Sequence, residues 1–106
     1  MRISDYQRLA KRTAIYPRKH KVFYPALGLA GEAGEVANKV KKIMRGDKMT
    51  REKKELLGDE IGDVLWYAAQ LATDLGMSLE EIATGNISKL WGRWKRNKIK
   101  GSGDKR

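Results

Sequence analysis

The chain has 106 residues and no cysteine, with 41% hydrophobic and 34% charged residues. It has room for a single domain (1–106) whose core takes about 65% of the unfolded surface out of water, and disulfide scaffolds, thiolate zinc sites and cysteine nucleophiles are excluded. The net charge of +10 is unevenly spread: residues 1–21 carry seven Lys/Arg against one acid, residues 89–106 eight against one, and residues 22–88 eight against eleven. An acidic middle between basic ends suits a carboxylate site served by cationic arms, a solvated basic surface, or a nucleic-acid-binding face. No apolar run approaches the roughly 18 residues of a membrane span. Met1 to Ala10 has no apolar export core, so a cytoplasmic location is expected.

Four helices are expected in chain order. Ser4 and Gln7 form a capping-box pattern, and Tyr6, Leu9, Ala10 and Thr13 recur at helical spacing until Pro17, giving a first helix over about Asp5 to Tyr16. Pro25 suits the first position of a second helix, where its missing N–H is no loss, and Gly46 ends that helix after Met44. Thr50 caps a third, Arg51 to Leu75, with an apolar stripe of Leu57, Ile61, Val64, Ala68, Leu71 and Leu75 and a left-handed stop at Gly76. Ser78 and Glu81 repeat the capping box and open a fourth helix, which gives way near Asn97 to a basic, glycine-containing tail over 98–106 that is expected to be flexible. No strand-like alternation or repeat is present, so the fold class is all-α, a four-helix bundle.

The carboxylates of the middle segment are paired at i, i+3. On the second helix the stripe is Leu29, Ala33, Val36, Val40 and Ile43, and at 100° per residue Glu32 falls about 50° from its centre, with Glu35 and Lys39 on the same side. On the third, Glu60 lies about 70° from the stripe centre and Asp63 follows one turn on. Four acids gathered at a helix interface repel one another, and a hard divalent cation relieves that: Mg²⁺, or Mn²⁺ in its place, takes oxygen ligands and needs no Cys or His. The alternative is that the acids point outward and pair with Lys39, Lys42, Lys53 or Lys54. Gly28, Gly31, Gly34, Gly58 and Gly62 interleave the acids although each costs about 1 kcal/mol in a helix, which implies close approach by another helix or a bulky ligand.

The strings ALGLAGEAGEVANKVKK (26–42) and DEIGDVLWYAAQLATDLGMSLEEI (59–82) resemble the MazG-like branch of the all-α nucleoside triphosphate pyrophosphohydrolases. DYQRLAKRT, NISKLWGR and the terminal GSGDKR are also similar to segments of bacterial and phage MazG-like proteins. The resemblance implies a MazG-like bundle assembled as a homodimer or homotetramer, and an enzyme that hydrolyses (d)NTP to (d)NMP and pyrophosphate. It implies that Glu32, Glu35, Glu60 and Asp63 are the metal-binding and catalytic acids. Asn86 and Lys89 match an N-x-x-K-L element that contacts substrate phosphates, with Arg93 one turn on and Lys39 as a further neutralising charge. Asp59 points away from the stripe and is at most a neighbour of the site.

Tyr67 lies on the Glu60 side of its helix and is the better candidate to stack on a base, whereas Trp66 lies opposite the stripe and suits a subunit interface; core or interface packing is the plainer role for each. His20 sits among basic residues of a loop bracketed by Tyr16, Phe23 and Tyr24, which either closes over a nucleotide or anchors the chain crossing. Two rivals stand beside the pyrophosphohydrolase: a dUTPase or dCTPase of the same superfamily, and a nucleic-acid-binding module using Trp91, Trp94 and the lysines and arginines around them. Nucleic acid is not expected to be the primary partner, because it leaves the paired acids and interleaved glycines without a purpose.

Overall fold

A computed structural model describes residues 1–46 and 48–104. It contains four α-helices, α1 (Ile3–Lys11), α2 (Phe23–Met44), α3 (Arg51–Asp74) and α4 (Leu79–Lys95), with one 3₁₀ turn at Arg18–His20. There is no strand among the described residues. The helix stops follow backbone chemistry visible in the sequence. Gly46 and Gly76 take positive φ. At the end of α3 the Met77 N–H donates to Ala72 O and the Gly76 N–H to Thr73 O, and at the end of α4 the Lys98 N–H donates to Arg93 O and the Asn97 N–H to Trp94 O. Both are Schellman closures, with Gly76 and Asn97 supplying the left-handed residue. The hydroxyls of Thr50 and Ser78 accept from the N–H groups of Lys53 and Glu81.

α1 departs from expectation at both ends. It starts at Ile3, with the Arg2 N–H donating to Asp5, because Gln7 does not turn back toward Ser4. Its amide instead donates to Thr73 Oγ1 and Met77 O, and its carbonyl accepts from the Leu79 N–H at 2.8 Å. The helix ends at Lys11 rather than Tyr16 because Thr13 donates its hydroxyl to Ala10 O and accepts from Trp66 Nε1. The Trp66 indole is half-buried against the core of its own chain, the packing role expected of it.

α2 and α3 run antiparallel, while α1 and α4 pack on the C-terminal half of α3. The core is small, formed by Ala10, Ala69, Ala72 and Leu79 with Ile3, Tyr6 and Trp66 against them. Of the apolar stripe expected on α3, Leu57, Val64, Ala68 and Leu71 are half-buried, but the stripe is not the most deeply buried face. Ile61 is 61% exposed and Leu75 53%, because in its second half α3 turns Ala69, Gln70, Ala72 and Asp74 inward instead. On α2, Leu29, Val36 and Ile43 are half-buried as expected, but Ala33 and Val40 face solvent. Of the five interleaved glycines, only Gly28 meets a neighbour: a Cβ there would fall inside the ring of Tyr67, whereas Gly31, Gly34, Gly58 and Gly62 face open space.

Asp74, at the last turn of α3, fixes where α2 begins. It accepts from Tyr16 OH at 2.7 Å, the Val22 N–H at 3.0 Å and Arg18 Nη1 at 3.2 Å. Val22 has φ 71° and ψ −52°, and the Phe23 N–H donates to Lys21 O at 2.8 Å, a γ-turn that a β-branched residue adopts only under strain. Tyr16 is buried and stacks on Tyr24 at 4.7 Å with Arg18 over its other side. The loop thus anchors the crossing from α1 to α2, while Phe23 and His20 stay exposed.

Candidate active site

The antiparallel register of α2 and α3 brings carboxylates from both helices together. One oxygen each from Glu32, Glu60 and Asp63 lies within 4.8 Å of the others. Glu32 and Glu60 are half-buried, and Asp63 is exposed. Lys39 Nζ donates to Glu60 Oε1 at 3.1 Å, whereas Glu60 Oε2 is buried and has no donor. Glu32 holds its proton above the usual carboxylate range, because its carboxyl lies against that of Glu60 and is desolvated, with further repulsion from Glu60, Asp63 and Glu35. Glu60 is held below that range, chiefly by Lys39 and also by the contact with Glu32. Lys39 in turn is held in its charged form by Glu60.

This donor set fits a hard cation. All its ligand atoms are carboxylate oxygens, they are close enough to share one ion, and a buried oxygen lacking any donor beside other acids is costly unless a positive charge serves it. Glu32, Glu60 and Asp63 would hold such an ion. Glu35 is exposed and outside this trio, though near enough to act on Glu32 and Lys39 through its charge. Asp59 is exposed.

The aromatic residues flank one end of the cluster. Tyr67 packs on Gly28 and lies 6.3 Å from Tyr24 and 5.0 Å, edge-on, from Trp66. Burial raises its hydroxyl, with Tyr24, Glu32 and Asp63 adding to the effect, so the phenol keeps its proton beside the acids. Tyr6 of α1 is raised by burial and by Asp63, which places α1 at the same margin.

The α4 residues are disposed differently. Asn86 and Lys89 are exposed, while Arg93 is buried under the tail, donating to Gly103 O and to Asp104 O at 2.8 Å. The Asp104 carboxylate lies 3.6 Å from Lys89 and 3.7 Å from Arg93. Up to Asp104 the tail lies against α4 through these contacts. Lys105 and Arg106, at the end of the GSGDKR segment, lie outside the described residues.

Residues 25–97 match the family model of the MazG nucleotide pyrophosphohydrolase domain. The chain belongs to the MazG family. Over its whole length it is also 46% identical to the Gene 37 protein of Mycobacterium phage L5, which it covers completely. No solved structure matches it. Among the described residues no helix is long and apolar enough to cross a membrane.

Two features of this MazG domain escape a reading of sequence. Asp74 sits in a helical pattern like any surface acid, and only the folded crossing shows that three donors converge on it. Lys53 and Lys42 enter the sequence reading only as outward partners of the acids, yet both line a cavity beyond Lys39. Their signal is spacing: Lys53 precedes Glu60 by two helical turns, and Lys42 follows Lys39 by three residues.

Proposed function

We propose that the chain is a magnesium-dependent nucleoside triphosphate pyrophosphohydrolase, cleaving (d)NTP between the α and β phosphates to (d)NMP and pyrophosphate and working as a homo-oligomer. The observation that carries this is the cluster of Glu32, Glu60 and Asp63, with its buried and donor-less Glu60 oxygen, inside a MazG domain. A bound Mg²⁺ supplies charge neutralisation at the phosphate oxygens.

The chain's own residues do the rest. One glutamate of α2, Glu32 or Glu35, takes a proton from the attacking water. The water oxygen bonds to the α phosphorus, the bridging P–O bond breaks, and its electron pair leaves with pyrophosphate. Tyr67 offers a ring and a protonated hydroxyl to the nucleoside, and Lys39 a charge to the phosphates. Asn86, exposed on α4, is available to substrate held by a neighbouring copy, and Lys89 would exchange Asp104 for it.

Incubation with each NTP and dNTP plus Mg²⁺, with products separated by chromatography, tests the reading and distinguishes a broad enzyme from a dUTPase or dCTPase. NMP and pyrophosphate are expected. NDP and inorganic phosphate as first products would leave only generic phosphatase chemistry. Glu60→Gln should lower turnover by about 10²-fold or more while helicity is unchanged, and near wild-type turnover in that variant would remove Glu60 from the site.

A second reading, binding of nucleic acid, is favoured by Trp91 and Trp94. They are 56% and 65% exposed and meet edge-on at 5.5 Å within the basic C-terminal segment. Submicromolar binding of single strands in about 150 mM salt, with a steep salt slope, would support it.

A further inference from the structure

The acids of the candidate site push α2 and α3 apart. An oxygen of Glu32 lies within 4.8 Å of oxygens of Glu60 and Asp63, and like charges at that range repel until a cation joins them. Little apolar burial on α2 opposes this: among the described residues the hydrophobic core draws nothing from α2, whose one buried residue is Pro25. Apolar contact is also non-directional, so it does not fix how far a helix has slid or turned. That falls to discrete contacts on either side of Glu32.

On one side Lys39 Nζ reaches Glu60 at 3.1 Å, through a long, partly exposed stem that follows any movement of its helix. On the other side the contact is made by the backbone. The N–H of Val22, the residue before α2, donates to Asp74 Oδ2 at 3.0 Å, and no side chain caps the helix. Asp74 is 2% exposed and is itself fixed by Tyr16 and Arg18. Tyr16 in turn stacks on Tyr24, in the first turn of α2, at 4.7 Å, so one acid holds the start of the helix by its backbone and by a ring.

Val22 shows what that hold sustains. Its φ of 71° is unfavourable for a β-branched residue and persists only where the surroundings impose it. Without the acceptor the residue relaxes toward negative φ, and the entry of α2 turns with it. Glu32 lies about 15 Å along the axis from Val22, so a tilt of about 5° at the entry displaces it by about 1.3 Å, more than the roughly 0.5 Å within which a ligand set must be held.

We propose that Asp74 is the positioning residue of the carboxylate site: through the Val22 N–H and the Tyr16–Tyr24 stack it sets the register of α2 on α3, and so holds Glu32 within reach of Glu60 and Asp63 before a cation arrives. It acts through the helix, about 16 Å along α3 from Asp63. This rests on the cation-binding part of the reading above and not on the hydrolysis of nucleotide.

The experiment is calorimetric titration of Mn²⁺ into the full chain and its variants, with helicity followed by circular dichroism. Asp74→Ala should weaken Mn²⁺ binding about tenfold. Val22→Pro, which has no N–H and cannot take positive φ, should do the same with Asp74 still in place. Gln7→Ala is the control, because it also removes buried hydrogen bonds but joins α1, α3 and α4 without touching α2. Its affinity should stay within about twofold of wild type. Val22→Gly added to Asp74→Ala frees the positive φ from strain while enlarging the freedom of the unfolded chain. That double variant should recover most of the lost affinity without recovering stability, a split that a merely structural role does not produce. If Asp74→Ala loses its helices, Val22→Pro and the double variant are compared in its place. A loss in Asp74→Ala no larger than in Gln7→Ala, or no recovery on adding Val22→Gly, overturns the proposal. Mn²⁺ binding that depends on Asp74 in a protein that hydrolyses no nucleotide sinks the enzymatic reading and leaves the positioning role standing. Hydrolysis with Mn²⁺ binding indifferent to Asp74 does the reverse, and a native chain that binds no Mn²⁺ overturns both.

Discussion

Asp74 shows how one buried acid can hold a crossing in place. Burial by itself pushes its carboxyl up, but the hydrogen bonds from the Val22 N–H, Tyr16 and Arg18 outweigh that and hold it below the usual aspartate range. A carboxylate with a depressed folded value contributes stability above its unfolded pKa of about 3.9, and that contribution is lost as pH falls through the lower folded value. Asp74→Ala leaves the Tyr16 hydroxyl and the Val22 N–H without their acceptor, and should cost about 2–3 kcal/mol at pH 7, read from urea midpoints at unchanged slope. Asp74→Asn keeps acceptor capacity but cannot ionise, so the loss of stability below about pH 4 should be shallower than in wild type. An acid limb as steep in Asp74→Asn as in the native chain would assign the effect to other carboxylates. The i, i+3 spacing of Glu32 with Glu35 and of Glu60 with Asp63 was legible in the sequence because each pair needs only helical geometry. Asp74 was not, because its three donors come from residues 52 to 58 positions earlier.

The helices illustrate the same division between local and distant causes. Their number, their order, two of the starts and three of the four stops were readable, since Thr50 and Ser78 at the starts and Gly46, Gly76 and Asn97 at the stops act on backbone groups within one turn. The limits of α1 were not readable, because Gln7 and Thr13 spend their hydrogen bonds on α3 and α4. The buried face of α3 was read only in part, for a related reason. Its partner changes along its length, from α2 beside the acids to α1 and α4 beyond Tyr67, and periodicity alone assumes a single partner. Gln7 now joins three elements, since it donates to Thr73 and Met77 and accepts from the first N–H of α4. Gln7→Ala should therefore cost about 1–3 kcal/mol by leaving these groups unpaired. Amide exchange should speed up over Leu79 to Ile82, at the start of α4, more than over α2. Uniform acceleration across all four helices would mean that Gln7 supports the whole fold and not the α3–α4 corner.

At the scale of the molecule the single chain is too open. It exposes 8212 Å², against roughly 6,000 Å² for a folded monomer of its mass, and its radius of gyration is 16.5 Å against about 13 Å. An excess of roughly 2,000 Å² is the size of an obligate subunit interface. Two faces compete for it. The face of α4 bearing Trp91 and Trp94 is apolar but belongs to a segment of charge +7, eight Lys/Arg less one Asp over residues 89–106, so two copies of it repel.

The outer faces of α2 and α3 carry no such charge. Leu27, Ala30, Gly31, Gly34 and Ala37 form one exposed stripe, and Gly58, Ile61, Gly62 and Leu65 another, with open space above all four glycines. A second copy packed on these stripes would supply the close approach that those glycines imply, since small residues let helices pack near one another. Ile61→Glu should convert an oligomer into a monomer in sedimentation velocity at micromolar concentration, with helicity retained and hydrolysis lost. Trp91→Ala should leave the assembly intact. Native protein that sediments as a 12.0 kDa monomer, or an Ile61→Glu variant that sediments like the native assembly, would remove this face as the interface and leave the unspent glycines without a partner.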